Sequence, residues 1–121
     1  MSSNSYITNL KTIDKFEIGQ FTWTISLIGE ESSELLVDDE HCLGLCNFPS
    51  LNIYISNEPL CNQALKAAII HELTHAFIFS YGIQSETYDE ERICMFMECH
   101  AKTVLKMADK FYKKIKEIKK R

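Results

Sequence analysis

The alternation of apolar and polar positions predicts that the first half of the chain forms β-strands. Residues 21–28 are rich in aromatic and β-branched side chains, and residues 51–56 alternate between apolar and polar types; both runs are typical of strands. Residues 41–48 predict a further strand, which is interrupted by Gly44 and followed by a Pro–Ser turn at 49–50. We expect these segments to form a small sheet of three antiparallel strands.

The spacing of apolar residues changes to a helical period in the second half of the chain. Residues 59–81 predict a helix with Ser56 or Asn57 as its N-cap, a proline in its first turn and Gly82 as its C-terminal stop. A short helix is also expected near the N-terminus, around residues 7–16.

A second long helix is predicted from a capping-box sequence that runs from Thr87 to Glu90. The final segment, residues 102–121, is basic and is expected to be an amphipathic C-terminal helix. Its apolar stripe consists of Val104, Ala108, Phe111, Ile115 and Ile118. We expect this stripe to pack against the rest of the molecule. Together these elements predict one α+β domain over residues 1–121.

Composition and charge narrow the class of protein. A chain of 121 residues that is 45% hydrophobic and 25% charged has the make-up of one globular domain. Nine of its thirteen Lys and Arg residues lie in residues 102–121 beside only two acidic residues, which leaves the preceding part strongly acidic. A basic tail of this kind either pairs with the acidic body or binds nucleic acid or a membrane surface. We expect the first.

The sequence also indicates a cellular compartment. The first ten residues have neither the basic nor the apolar region of a secretory signal, and no apolar run is long enough to span a membrane. Five cysteines are an odd number and lack the dense spacing of a disulfide scaffold. These features predict reduced thiols and a cytoplasmic protein.

Residues 71–75 read His-Glu-Leu-Thr-His, an HExxH sequence inside the first predicted helix. Residues four apart on a helix differ by about 40° in direction, so His71 and His75 project from one side. Two imidazoles so placed suit one Zn²⁺ at about 2.0–2.1 Å from each nitrogen. Glu72 lies about 100° round the helix, where it can act as general base toward an attacking water. The apolar flanks favour a zinc site over a chance match, because polar side chains on a mostly buried helix need partners.

A third protein ligand is expected from the second long helix. A metzincin extension would place Gly and His after His75, but the chain has Ile78 and Tyr81 at those positions. The ligand-type residues on the next helix are Glu90, Glu91, Cys94, Glu98, Cys99 and His100.

Among these candidates Glu91 is favoured as the third ligand. It shares a helix face with Leu105, which we expect to point inward, whereas Glu90 is expected to serve the capping box. Glu98 lies two turns further along the same face and remains an alternative, as do Glu90 and His100.

The predicted strand at 52–56, the HExxH helix and the sequence Glu91-x-x-Cys94 together resemble the ImmA/IrrE-type metallopeptidases, most closely the minimal forms found in phages and mobile elements. The resemblance covers about residues 42–105. It implies a minimal zincin fold with a His₂Glu zinc site and one catalytic carboxylate. The residues implied are His71, His75 and Glu91 as zinc ligands and Glu72 as catalytic base. The chain differs from the family in lacking a separate helix-turn-helix region and in its short spacer before Glu91.

The leading functional hypothesis is a gluzincin-type zinc metallopeptidase that hydrolyses peptide bonds in a protein substrate. The substrate would bind as an extended strand at the sheet edge, and Tyr88 or His100 would donate a hydrogen bond to the oxyanion. Two alternative hypotheses place the protein in other functional classes. One is a non-catalytic binding module in which zinc only stabilises the fold, and the other is an adaptor that binds nucleic acid through the basic tail. His41, Cys42 and Cys46 also have the spacing of a second metal cluster.

Overall fold

The computed structural model describes residues 6–83 and 89–120, whose strands form one main sheet and one small hairpin. The elements in chain order are β1 (Lys11–Ile18), β2 (Phe21–Ile28), β3 (Leu36–Val37), β4 (Glu40–His41), β5 (Gly44–Asn47), β6 (Asn52–Ser56), α1 (Asn62–Ser80) and α2 (Glu90–Lys119). A 3-10 turn, Ser33–Leu35, precedes β3. The predicted α+β class is confirmed.

The main sheet has four strands in the order β1-β2-β6-β5, and it is mixed. The outer pairs β1/β2 and β5/β6 are antiparallel, whereas the central pair β2/β6 is parallel. The parallel pair is possible because the chain between residues 29 and 51 crosses over before β6 begins. The expected sheet of three antiparallel strands is therefore wrong in the number of strands and in the direction of the central pair.

Strand β1 replaces most of the helix that was expected around residues 7–16. Phe16 and Ile18 are buried and alternate with exposed residues, which is the period of a strand rather than of a helix. Gly19 adopts a φ of +61° in the two-residue connection that joins the paired residues Ile18 and Phe21. A tight hairpin of this type requires positive φ, which glycine adopts without strain.

Helix α1 begins at Asn62, later than predicted. The Ser56 hydroxyl accepts a hydrogen bond from the Glu58 N–H at 3.2 Å and donates one to the Glu58 carboxylate at 2.8 Å, so it stabilises a turn instead of capping the helix. Cys61 occupies the N-cap position. At the other end Gly82 has a φ of +64° and the helix stops just before it, as predicted.

Helix α2 is continuous from Glu90 to Lys119, and its N-cap is Asp89, whose carboxylate accepts a hydrogen bond from the Arg92 N–H at 2.9 Å. A capping box from Thr87 would have made Glu90 the third residue of the helix, but Glu90 is the first, so the predicted capping role of Glu90 is wrong. Thr87 itself lies outside the described residues. The predicted apolar stripe is confirmed. Its members Val104, Ala108, Phe111 and Ile115 are buried and Ile118 is partly buried.

The core lies between the main sheet and the two helices. Trp23 and Leu73 are fully buried there, and the Trp23 indole N–H donates a hydrogen bond to Ser80 Oγ at 2.8 Å. The rings of Phe16 and Phe111 have centroids 4.9 Å apart, which joins β1 to α2. The core contacts and the Trp23–Ser80 hydrogen bond hold α1, and with it the HExxH sequence, against the main sheet.

The basic tail packs against the acidic body. Lys114 Nζ lies 2.7 Å and Lys110 Nζ 3.4 Å from Asp14 Oδ2 on β1. Lys116 Nζ donates a hydrogen bond to Asn62 Oδ1 at the start of α1, at 3.0 Å. Among the helices that the structure describes, none has a stretch apolar and long enough to cross a bilayer.

Candidate metal centre

Helix α1 brings the three polar residues of the HExxH sequence close together. His71 and His75 are exposed, whereas Glu72 is buried. The Nε2 atoms of the two histidines lie 3.2 Å apart, and one ligand atom from each of the three residues lies within 4.8 Å of the others. This group could hold a metal ion.

Burial alters the acid–base properties of two residues in the group. It raises the pKa of the Glu72 carboxyl above its ordinary value, although the His71 charge and a hydrogen bond from the Cys46 backbone N–H act in the opposite direction. Burial also lowers the pKa of His75, and the His71 charge lowers it further. The neutral imidazole is the form that binds metals, and a carboxyl with a raised pKa is better suited than an ordinary one to proton transfer.

Two open clefts meet at His71. One, of about 430 Å³, runs between the edge strand β5 and α1, with Gly44, Ala67 and Glu72 among its lining residues. The other, of about 450 Å³, follows the outer side of α1 past His75. The metal-capable group can therefore be reached from solvent along the edge of the sheet.

The structure does not bring the predicted third ligand into this group. Across residues 6–83 and 89–120, the three HExxH residues form the only cluster of at least three His, Cys, Asp or Glu side chains that is close enough for one ion. Glu91 lies exposed in the first turn of α2, and the alternatives Glu90 and Glu98 are exposed as well. Glu91 as a metal ligand stays a prediction.

The structural reason given for Glu91 is wrong. Leu105, which shares its helix face, is 52% exposed, and Cys94 on the same face is exposed as well. The buried side of α2 runs instead through Val104 and Phe111. The face of α2 that carries Glu91 and Leu105 was predicted to be buried but is exposed to solvent. Helical periodicity shows which residues share a face, but it does not show which of two neighbouring faces packs against the core.

His100 lies among aromatic rings and not in the metal-capable group. Its ring centroid is 4.6 Å from that of Tyr81, 5.3 Å from that of Phe96 and 5.6 Å from that of Phe77. These contacts pack the imidazole against the C-terminal end of α1. Tyr88, the other predicted oxyanion donor, lies outside the described residues.

The possible second metal cluster does not form within the described part of the chain. His41 Nε2 pairs with the Glu58 carboxylate instead, and the Cys42 thiol donates weakly to a backbone carbonyl oxygen. Burial, together with the charge of Glu72, raises the pKa of the Cys46 thiol to about 12. That thiol is neutral near pH 7 and is not an activated nucleophile.

The contact between β5 and Glu72 is the feature of the site that the sequence pattern does not predict. Gly44 packs directly against the Glu72 side chain, so that a Cβ at position 44 would lie 2.9 Å from Glu72 Cγ. The signal that was present is the glycine itself, because a glycine within a strand often marks the close approach of another group.

These elements and this site define an α+β protein with a mixed four-stranded sheet, two helices and a His–Glu–His group able to hold a metal ion. No family model matches the chain, and neither a curated protein nor a solved structure matches it. Its function is therefore inferred from the residues of the site.

Proposed function

We propose that the protein is a gluzincin-type, zinc-dependent metallopeptidase that hydrolyses peptide bonds in a protein substrate. The observation that carries this proposal is the 3.2 Å separation of the His71 and His75 Nε2 atoms. Two nitrogens bound to one zinc ion at about 2.05 Å with a tetrahedral angle lie about 3.3 Å apart. The separation of the pair is therefore compatible with one shared zinc ion, a metal that imidazole ligands suit.

Each residue of the site has a separate role in the proposed reaction. His71 and His75 hold the ion, and Glu91 is the proposed third ligand, which leaves one position open. Zinc, when bound, supplies Lewis-acid polarisation of the scissile carbonyl and makes water more acidic. Glu72 accepts the proton of the attacking water and delivers it to the leaving amine nitrogen. The raised pKa of Glu72 favours this second step, because the protonated carboxyl must persist long enough to donate.

The substrate is proposed to bind as an extended strand along β5, the outermost strand of the sheet at this side. Ser56 N–H donates to the Leu43 carbonyl at 2.8 Å, and in an antiparallel pair the hydrogen-bonded positions alternate. Gly44 therefore turns its own N–H and C=O away from β6, toward the cleft that leads to His71 and Glu72. A peptide paired with this edge would present a carbonyl beside the proposed zinc ligands.

Two further features support the same assignment. The HExxH helix and the Glu91-x-x-Cys94 sequence resemble ImmA/IrrE-type metallopeptidases. All five cysteines are free thiols, which favours a reducing compartment such as the cytoplasm.

Glu72→Gln tests the catalytic part of the proposal, because it removes the base and keeps both histidines. We expect zinc-loaded wild-type protein to cleave casein or a fluorogenic peptide library. Glu72→Gln should bind the same amount of zinc and lose about 10²- to 10⁴-fold in kcat/KM. Glu17→Gln, an exposed carboxylate on β1, is the matched control and should retain full activity. A wild-type protein that binds zinc and cleaves nothing would favour the non-catalytic zinc-stapled module.

A further inference from the structure

Strand β5 approaches Glu72 so closely that a side chain at position 44 has no room. A Cβ on Gly44 would lie 2.9 Å from Glu72 Cγ and 3.2 Å from Glu72 Oε2. It would also lie 3.2 Å from the carbonyl oxygen of Tyr54. Carbon atoms in favourable contact are about 3.5–4.0 Å apart. An alanine at this position therefore requires either the Glu72 side chain or strand β5 to move, and we expect the side chain to move.

The requirement for glycine at position 44 is one of space and not of backbone conformation. Gly19 and Gly82 have positive φ angles, whereas Gly44 does not. Gly44 is buried and lines the cleft between β5 and α1 together with Glu72. The missing side chain is thus the property of Gly44 that matters.

The same approach lies next to the two histidines. One ligand atom from each of His71, Glu72 and His75 lies within 4.8 Å of the others. Gly44 and Glu72 line the same cleft as His71. The position of the Glu72 side chain against Gly44 therefore bears directly on where its carboxylate lies relative to the proposed zinc ligands.

We propose that Gly44 is a positioning residue for Glu72, because the absence of a side chain there lets the Glu72 side chain lie against β5 with its carboxylate beside His71 and His75. The inference rests on the proposed function in taking Glu72 as the general base. A displacement of about 1 Å in a catalytic group costs roughly 10²-fold in rate. The two histidines are exposed, and neither supplies one of the three atoms nearest to a Cβ at Gly44, so metal binding is expected to survive a change at this position.

The contact is tested by thermal unfolding of four metal-free proteins: wild type, Gly44→Ala, Glu72→Ala and the double variant. In the wild-type background, Gly44→Ala should overpack the contact and lower the Tm by roughly 5 °C or more. In the Glu72→Ala background the clashing Cγ and carboxylate are gone, so Gly44→Ala should cost less than about half as much. An equal loss in both backgrounds, or failure to fold in both, would mean that the Tyr54 carbonyl is what requires glycine, and the proposal would be wrong.

The positioning role is tested by kinetics on the zinc-loaded proteins. Gly44→Ala should lower kcat about 100-fold, while KM and zinc affinity change less than about threefold. Leu105→Val, an exposed position on α2 outside the proposed site, is the control and should retain kcat. Parallel losses of kcat and zinc affinity, or an unchanged kcat, would contradict the proposal. An inactive wild type would overturn the proposed function, while the unfolding cycle would still decide whether Gly44 holds Glu72.

Discussion

Replacing Phe111 by alanine tests whether the C-terminal half of α2 is part of the core. The Phe111 side chain is 0% exposed, its ring centroid lies 4.9 Å from that of Phe16, and it belongs to the same buried cluster as Trp23. Truncating a fully buried phenylalanine removes its transfer free energy and leaves a cavity, at a cost of about 3–5 kcal/mol. Domains are stable by only about 5–15 kcal/mol, so the variant should lose a large part of its stability.

The loss is measured by urea unfolding followed through the fluorescence of Trp23, the single tryptophan of the chain and 0% exposed. Leu105→Ala is the matched control, because Leu105 lies on the same helix but is 52% exposed; it should cost less than about 1 kcal/mol. Equal losses in the two variants, or a loss at Phe111 below about 1 kcal/mol, would refute the packing of the basic helix. The tail would then be free for a partner.

Two further predictions concern charge and metal binding. Partial burial raises the pKa of Asp14, but hydrogen bonds from Lys114 and from the Lys15 backbone outweigh it, and the pKa lies below its ordinary value. A carboxyl with a lowered pKa stabilises the fold above its unfolded pKa and loses that effect as the pH falls through its folded pKa. Asp14→Asn should therefore lower the free energy of unfolding in urea by about 0.5–1 kcal/mol at pH 7 and by almost nothing near pH 2. Glu91→Gln should weaken zinc binding roughly tenfold or more in a chelator competition titration; unchanged affinity, with the loss appearing in Glu98→Gln, would transfer the ligand role to Glu98.

The helices could be predicted from the sequence because their signals are local. The helical spacing of Leu65, Ala68, Ile69 and Phe77 and the stop at Gly82 depend on neighbouring residues alone. The direction of β6 could not be predicted, because it depends on how residues 29–51 cross over between β2 and β6. Strand β1 was mistaken for a helix because its alternating period is short and ends at a turn that only Gly19 marks.

The candidate site likewise has features that the local sequence predicts and features that depend on the tertiary structure. His71 and His75 could be paired from the sequence because a helix fixes their relation within one turn. A ligand on α2 depends on the path of the chain between the two helices and on which stripe of α2 faces inward, and neither is a local property. The close approach of β5 to Glu72 could not be predicted either, since it depends on how α1 packs against the strand at Gly44.

The zinc content of the purified protein tests the central claim most directly. Wild type and a His71→Ala, His75→Ala double variant are purified in parallel, and bound metals are measured by mass spectrometry. Circular dichroism is recorded on both proteins, because metal binding can contribute to folding. We predict about one zinc ion per chain in wild type and almost none in the double variant. Equal zinc content in the two proteins, or a wild type that binds no zinc, would contradict the account.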